Sequence, residues 1–115
     1  MSPPEETVST KAEEPSPGRL TILLGARDHA GHHSLMVEVL AQARKAKLAG
    51  ATAMQGTEGL GRSGVAHHRH GLSGDGPVAI VVIDERAVLE EFVEELGGLL
   101  AGAVVVVEDV RAFRA

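Results

Sequence analysis

At 115 residues and 43% hydrophobic side chains, the chain suits one domain with a modest core and leaves no room for a second. A formal net charge of −5 and 2% aromatic residues argue against a nucleic-acid partner, which needs basic surface and rings on which bases stack. The absence of Cys removes disulfides, thiolate catalysis and thiolate metal sites together.

Residues 1–18 hold Pro3, Pro4, Pro15 and Pro17 together with Glu5, Glu6, Glu13 and Glu14, and after Met1 only Val8 as a large apolar side chain. That composition cannot bury a core, so a disordered tail is expected there and a folded domain over 19–115. The tail carries much of the acidity: the rest of the chain has ten basic and twelve acidic residues, a net −2. The first residues show neither a basic stretch nor an apolar one, and no apolar run approaches the roughly eighteen residues of a membrane span. A cytoplasmic protein is expected.

In chain order, Leu20-Thr21-Ile22-Leu23-Leu24, ended by Gly25, reads as a strand. From Ser34 the period changes. Leu35, Met36, Val39, Leu40, Ala43 and Ala46 mark one helical face, with Ser34 as the expected N-cap and Gly50 as the expected stop. A weaker strand is expected from Ala51 to Thr57, followed by a polar, glycine- and histidine-rich loop up to Pro77. Then come the apolar strand Val78 to Ile83, Asp84 as a candidate N-cap, and a helix with Val88, Leu89, Phe92, Val93 and Leu96 inside and Glu90, Glu91, Glu94 and Glu95 outside. Gly97, Gly98 and Gly102 break that helix, and Val104 to Val107 with Val110 form the last strand.

Strand, helix, strand, twice over, predicts an α+β domain of ferredoxin-like βαββαβ type: an antiparallel four-stranded sheet with two helices on one face. Two helices are too few to cover both faces of a parallel sheet. Side chains alternate across a strand, so the uninterrupted apolar runs 78–83 and 104–107 put half of their side chains on the face without helices. Each buried Val or Ile stabilises by about 1.5–3 kcal/mol, and the second face is therefore expected to be covered by another subunit.

Loops of about twenty residues are uncommon in small domains and are usually functional or disordered. Here Glu58-Gly59-Leu60-Gly61-Arg62-Ser63-Gly64 opens the loop. It matches the spacing G-x-G-x-x-G, but Val65-Ala66-His67-His68-Arg69-His70 follows where a dinucleotide-binding fold needs an apolar helix. No Gly-Lys-Ser/Thr is present for a P-loop. The local chemistry still suits an anion: Gly59, Gly61 and Gly64 free backbone N–H groups to turn toward it, and Arg62 beside Ser63 supplies a planar, permanently charged fork. The competing reading is a loop tip whose glycines only make turns.

The strand–helix–strand halves, Gly50-Ala51-Thr52-Ala53 leading into Gly56-Thr57-Glu58-Gly59-Leu60-Gly61, and the closing Val107-Glu108-Asp109-Val110 resemble the PII-like family catalogued as domain of unknown function 190, over about Arg19 to Phe113. More distantly, Gly59-Leu60-Gly61-Arg62 is similar to the start of the T-loop of PII nitrogen-regulatory signalling proteins. The resemblance implies a homotrimer of ferredoxin-like subunits, a small anionic ligand such as an adenine nucleotide in clefts between neighbours, no required cofactor, and regulation of a partner, for example a membrane transport protein, through the loop. It implies Gly59, Gly61 and Arg62 at the base of that loop, with Ser63 and Gly64 following, Gly98 to Gly102 as the loop after the second helix, and Arg114 as a phosphate contact. The chain departs from PII proteins at Ala103, where they place a Lys, and at Ser63-Gly64, which replaces a polar pair. Sensing of ATP and 2-oxoglutarate in their manner is not expected.

The histidines offer a different class of function. His29, His32 and His33 precede the first helix and His67, His68 and His70 lie in the loop, so a trimeric metal-binding protein of ion-tolerance type, with His67 and His70 as ligands, is the alternative. Against it, Arg69 stands among the ligands and no HExxH spacing occurs. Ser63 and Ser73 lie outside any G-x-S-x-G, and the paired glutamates have the spacing of a solvated helix face. With no catalytic set to name, the chain is expected not to be an enzyme.

Overall fold

The computed structural model describes residues 16–25, 28–31, 33–56, 58–60, 66–68 and 76–115, with 58–60 and 66–68 described as backbone. Strand β1 (Pro17–Gly25) leads through the two-residue strands β2 (His29–Ala30) and β3 (His33–Ser34) into helix α1 (Leu35–Lys45). Strand β4 (Thr52–Gln55) and the short strands β5 (Glu58–Leu60) and β6 (Ala66–His68) come next, then β7 (Pro77–Glu85), helix α2 (Arg86–Leu96), a 3-10 turn over Gly97–Leu100, and β8 (Val104–Asp109). The main sheet has the order β4-β7-β1-β8 with every pairing antiparallel. That is the expected ferredoxin-like α+β fold.

Alternation along β1 and β7 decides which face is closed. Leu20 and Ile22 of β1 and Val78, Ile80 and Val82 of β7 are almost fully buried and join Leu35, Val39 and Ala43 of α1 and Leu89, Phe92 and Leu96 of α2 in one core. Both helices therefore cover the same face, each through residues recurring at three- or four-residue intervals. No polar side chain among the described residues is buried.

The boundaries correct several expectations. Strand β1 starts at Pro17, so Pro17 and Gly18, expected in the tail, lie in the sheet; residues 1–15 lie outside the described residues. Ser34 is the N-cap of α1 as expected, its Oγ accepting from the Val37 N–H at 3.1 Å. Gly50 does not stop the helix. Lys47 does, in the left-handed region at φ 61, with its N–H donating to the Arg44 carbonyl and that of Leu48 to the Ala43 carbonyl. This is a Schellman closure with Lys in the place usually held by Gly, and it drops Leu48 back onto the core.

Asp84 is not the cap of α2. Glu85 is, without a side-chain hydrogen bond, while Asp84 turns its carboxylate to the N–H groups of Ala49 at 2.9 Å and Glu85 at 2.7 Å. Strand β4 is confined to 52–55 instead of 51–57, with Thr57 outside the described residues, and β8 ends at Asp109, so Val110 follows the strand.

Candidate functional site

The register brings the glycine-rich segments to one end of the sheet. Gly25, at the end of β1, stands opposite Pro77, at the start of β7, and Gln55, at the end of β4, pairs with Val78. The Gly56 N–H donates to the Pro77 carbonyl at 2.8 Å, and a Cβ on Gly56 would lie 2.9 Å from the Pro77 ring, so glycine is what allows the two chains to close this base. Beyond it β5 and β6 pair as a two-stranded ribbon with Gly59 opposite His67. The expected structureless loop thus contains strand pairing.

The turn after α2 belongs to the same end. Val104 pairs with Leu23, two residues before the end of β1, and the turn feeding it contains Gly98 and Gly102. Gly97 and Gly102 have φ of 50° and 88°, conformations that favour glycine. A Cβ on Gly98 would meet open space, so packing alone does not call for glycine there.

A third segment converges at this end without having been foreseen. Asp28 closes the end of β1, its Oδ2 accepting from the Gly25 N–H at 2.9 Å and its own N–H donating to the Gly25 carbonyl at 3.1 Å. Its carbonyl accepts from the Leu35 N–H at 2.7 Å, which fixes where α1 begins. Between them β2 and β3 form a hairpin turned at Gly31, φ 66. The only sequence cue was an Asp-His pair and a glycine between two elements.

Of the candidate ligand residues, Gly59, Gly98 and Gly102 share the glycine end. Gly61, Arg62, Ser63 and Gly64 lie outside the described residues. Arg114 does not join them within one chain: it lines a hollow of about 190 Å³ with Ala49, Ile83, Asp84, Ala112 and Phe113 at the opposite end. From Pro77 to Ile83 along β7 is about 20 Å at the usual strand rise. There Arg111 stacks its guanidinium 5.0 Å from the centre of the Phe113 ring.

Charges concentrate at that far end. Arg86 donates to Glu90 at 3.0 Å and to Asp109 at 2.9 Å, and these carboxylates, Glu90 foremost, hold its pKa above the ordinary arginine value. Arg19 donates through Nε to Glu108 at 2.9 Å. A second hollow, about 340 Å³, lies between the helices, with Lys45 on one side and Glu91 and Glu95 on the other.

For metal chemistry the described residues offer no group of three or more His, Asp or Glu able to hold an ion. His67 lies in β6, and His70 lies outside the described residues. His29 pairs with Ser34 and His33 with Ala30, which puts the two histidines on opposite faces of their hairpin.

Comparison with known proteins matches this arrangement to one family. The family model DUF190, described as uncharacterized ACR, matches residues 18–112. No curated protein sequence matches the chain. Among solved structures, the chain is similar to CPII, a nitrogen regulatory PII-like protein from Thiomonas intermedia K12. With CPII bound to ADP, AMP and bicarbonate it shares 19% identity at a TM-score of 0.66, covering 85% of this chain and 90% of that one. With CPII bound to ADP and bicarbonate it shares 20% identity at 0.61, covering 85% and 95%. The apo form gives 17% and 0.58, covering 86% and 95%. Among the described residues, no helix is long and apolar enough to cross a membrane.

Proposed function

Because the chain belongs to the DUF190 family and shares the fold of a PII-like regulator, we propose that it is a PII-like regulatory protein. In this reading it assembles as a homotrimer through the helix-free face of its sheet, takes a small anionic ligand, an adenine nucleotide, in clefts between copies, and acts on a partner through the segment between β4 and β7. It works as a ligand sensor and not as an enzyme, in the cytoplasm, and its target is a membrane transport protein.

One observation carries the reading: the ribbon with Gly59 and the turn with Gly98 and Gly102 lie at the same end of a sheet whose second face leaves Leu23, Met54, Val104 and Val106 exposed. Backbone N–H groups freed by glycine suit phosphate oxygens, and Arg62 would add the charged fork that a diphosphate takes in two parallel hydrogen bonds. The 20 Å between this end and Arg114 within one chain is compatible with Arg114 reaching the cleft of a neighbouring copy. A ligand bridging Gly59, Gly61, Arg62 and a neighbour's terminus would bias the arrangement that the segment between β4 and β7 presents to the target.

The relatives' ligands name the probes. Titration calorimetry with ADP and AMP, each with and without bicarbonate, should give saturable binding, and Arg62→Ala should weaken it at least tenfold while the oligomer persists. Absence of heat and of thermal stabilisation with every nucleotide would overturn the reading.

A further inference from the structure

Five of the seven exposed large apolar residues among those described, Leu23, Met54, Ile83, Val104 and Val106, lie on the helix-free face. The register orders that face into rows across the sheet. At the glycine end Met54, Ala79, Leu23 and Val104 stand side by side; the next row runs Thr52, Val81, Thr21, Val106; the far row runs Ile83, Arg19, Glu108. The face grades from apolar at the glycine end to the Arg19–Glu108 ion pair toward the far rim, where Glu85 follows Ile83 on the same face of β7 and Arg114 lines a hollow with Ile83. The charged side chains of these rows, Arg19 and Glu108, cancel, so the rows offer none of the excess positive charge that an anionic lipid surface or a nucleic acid needs. Within these rows the one cation stands beside the one anion, an arrangement complementary to the same pair on a second copy.

The pair is built to take a further partner. Arg19 and Glu108 are 47% and 42% exposed and joined through Nε and Oε2 alone, which leaves both terminal nitrogens of the guanidinium and Oε1 of Glu108 without a protein partner among the described residues. Resting on the proposed assembly through this face, we infer that Arg19 of one copy pairs with Glu108 of the next and that this contact sets the register of the assembled protein. The apolar rows supply attraction that is nearly indifferent to sliding or rotation. A charged group covered without its partner is heavily penalised, so the far row discriminates between arrangements that the valines and leucines do not.

The test uses full-length chains with a charge inversion at either position, alone and mixed. In R19E the far rim carries two anions and in E108R two cations. Each variant alone should assemble about tenfold more weakly than wild type, as close interfacial charge pairs allow. Mixed one to one, with one chain mass-tagged, they should give hetero-assemblies well above the statistical proportion in native mass spectrometry. Repulsion inside each chain is unchanged by mixing, so the excess reports contact between copies. Wild-type affinity in both variants with statistical mixing would overturn this inference and leave the trimer standing. A monomeric wild type would remove the proposed assembly itself. If an inverted variant fails to fold by circular dichroism, R19Q and E108Q decide: weaker assembly supports the contact, unchanged assembly overturns it.

Discussion

The two faces of the central sheet are built from the same strands, even from neighbouring residues, yet they have opposite fates. Ile22 and Leu23 are adjacent in β1; Ile22 is fully buried against the helices, whereas Leu23 is 44% exposed. In β7, Ile80 and Val82 are sealed and Ile83 stands open. Chemistry does not distinguish these side chains; the presence of a covering layer does. The helix-covered face is complete within one chain, and the other leaves Leu23, Met54, Ile83, Val104 and Val106 exposed on it.

That contrast can be broken first on the closed face. Ile80→Ala removes a fully buried side chain from the middle strands and should cost about 3 kcal/mol, within the range of buried large-to-small changes. Urea unfolding should show the loss at any protein concentration, and a loss under 1 kcal/mol would mean that the core repacks around the gap. Leu23→Glu, one residue type on the open face, should leave the isolated protomer within about 1 kcal/mol of wild type. It should nevertheless weaken self-association by more than tenfold in sedimentation velocity. Equal association in wild type and variant would show that the open face is not where copies meet.

What the sequence disclosed follows from how local each cause is. The runs Leu20–Leu24 and Val78–Ile83 and the spacing of Val39, Ala43, Leu89, Phe92 and Leu96 carry their own periodicity, so the ferredoxin-like order and the core were legible from them. Asp84 was misread because the partner of its carboxylate, the Ala49 N–H, is far away in sequence. Its type and position fit a cap, and only the packing of the α1–β4 connection beside β7 reveals the other use. The pairing of Glu58–Leu60 with Ala66–His68 was hidden for a similar reason: three-residue strands with Gly59, Ala66 and two histidines carry no β pattern, and register supplies what propensity does not. At the candidate site the residue types suggested an anion. Which end of the sheet each occupies, and that Arg114 stands at the other end from Gly59, is topology.

The same distinction between local and distant causes orders the two weaker predictions. Asp84→Ala deletes the hydrogen bond to Glu85 N–H and the one that ties the α1–β4 connection to the end of β7, and should cost about 1 kcal/mol. The loss should appear in hydrogen exchange as faster opening of 48–55, with the β1–β7 pairing keeping its protection. Uniformly faster exchange across the sheet would show that Asp84 supports the whole fold.

Lys47→Gly tests the smallest effect and runs in the opposite direction. Lys47 sits at φ 61, where an L-residue costs about 1 kcal/mol relative to glycine. Glycine returns part of that gain through its greater freedom in the unfolded chain, so a net stabilisation of about 0.5 kcal/mol is expected. For a domain of this size that corresponds to a rise of about 2–4 °C in Tm. The exposed Lys47 side chain makes no hydrogen bond or ion pair among the described residues, so nothing else is lost with it. Because the helix end belongs to the layer that is complete within one chain, the gain should be the same in dilute and concentrated protein, whereas the Leu23→Glu effect should grow with concentration. A Tm unchanged or lowered by the glycine would mean that the contact of Leu48 with the core, and not the backbone at Lys47, holds the end of α1.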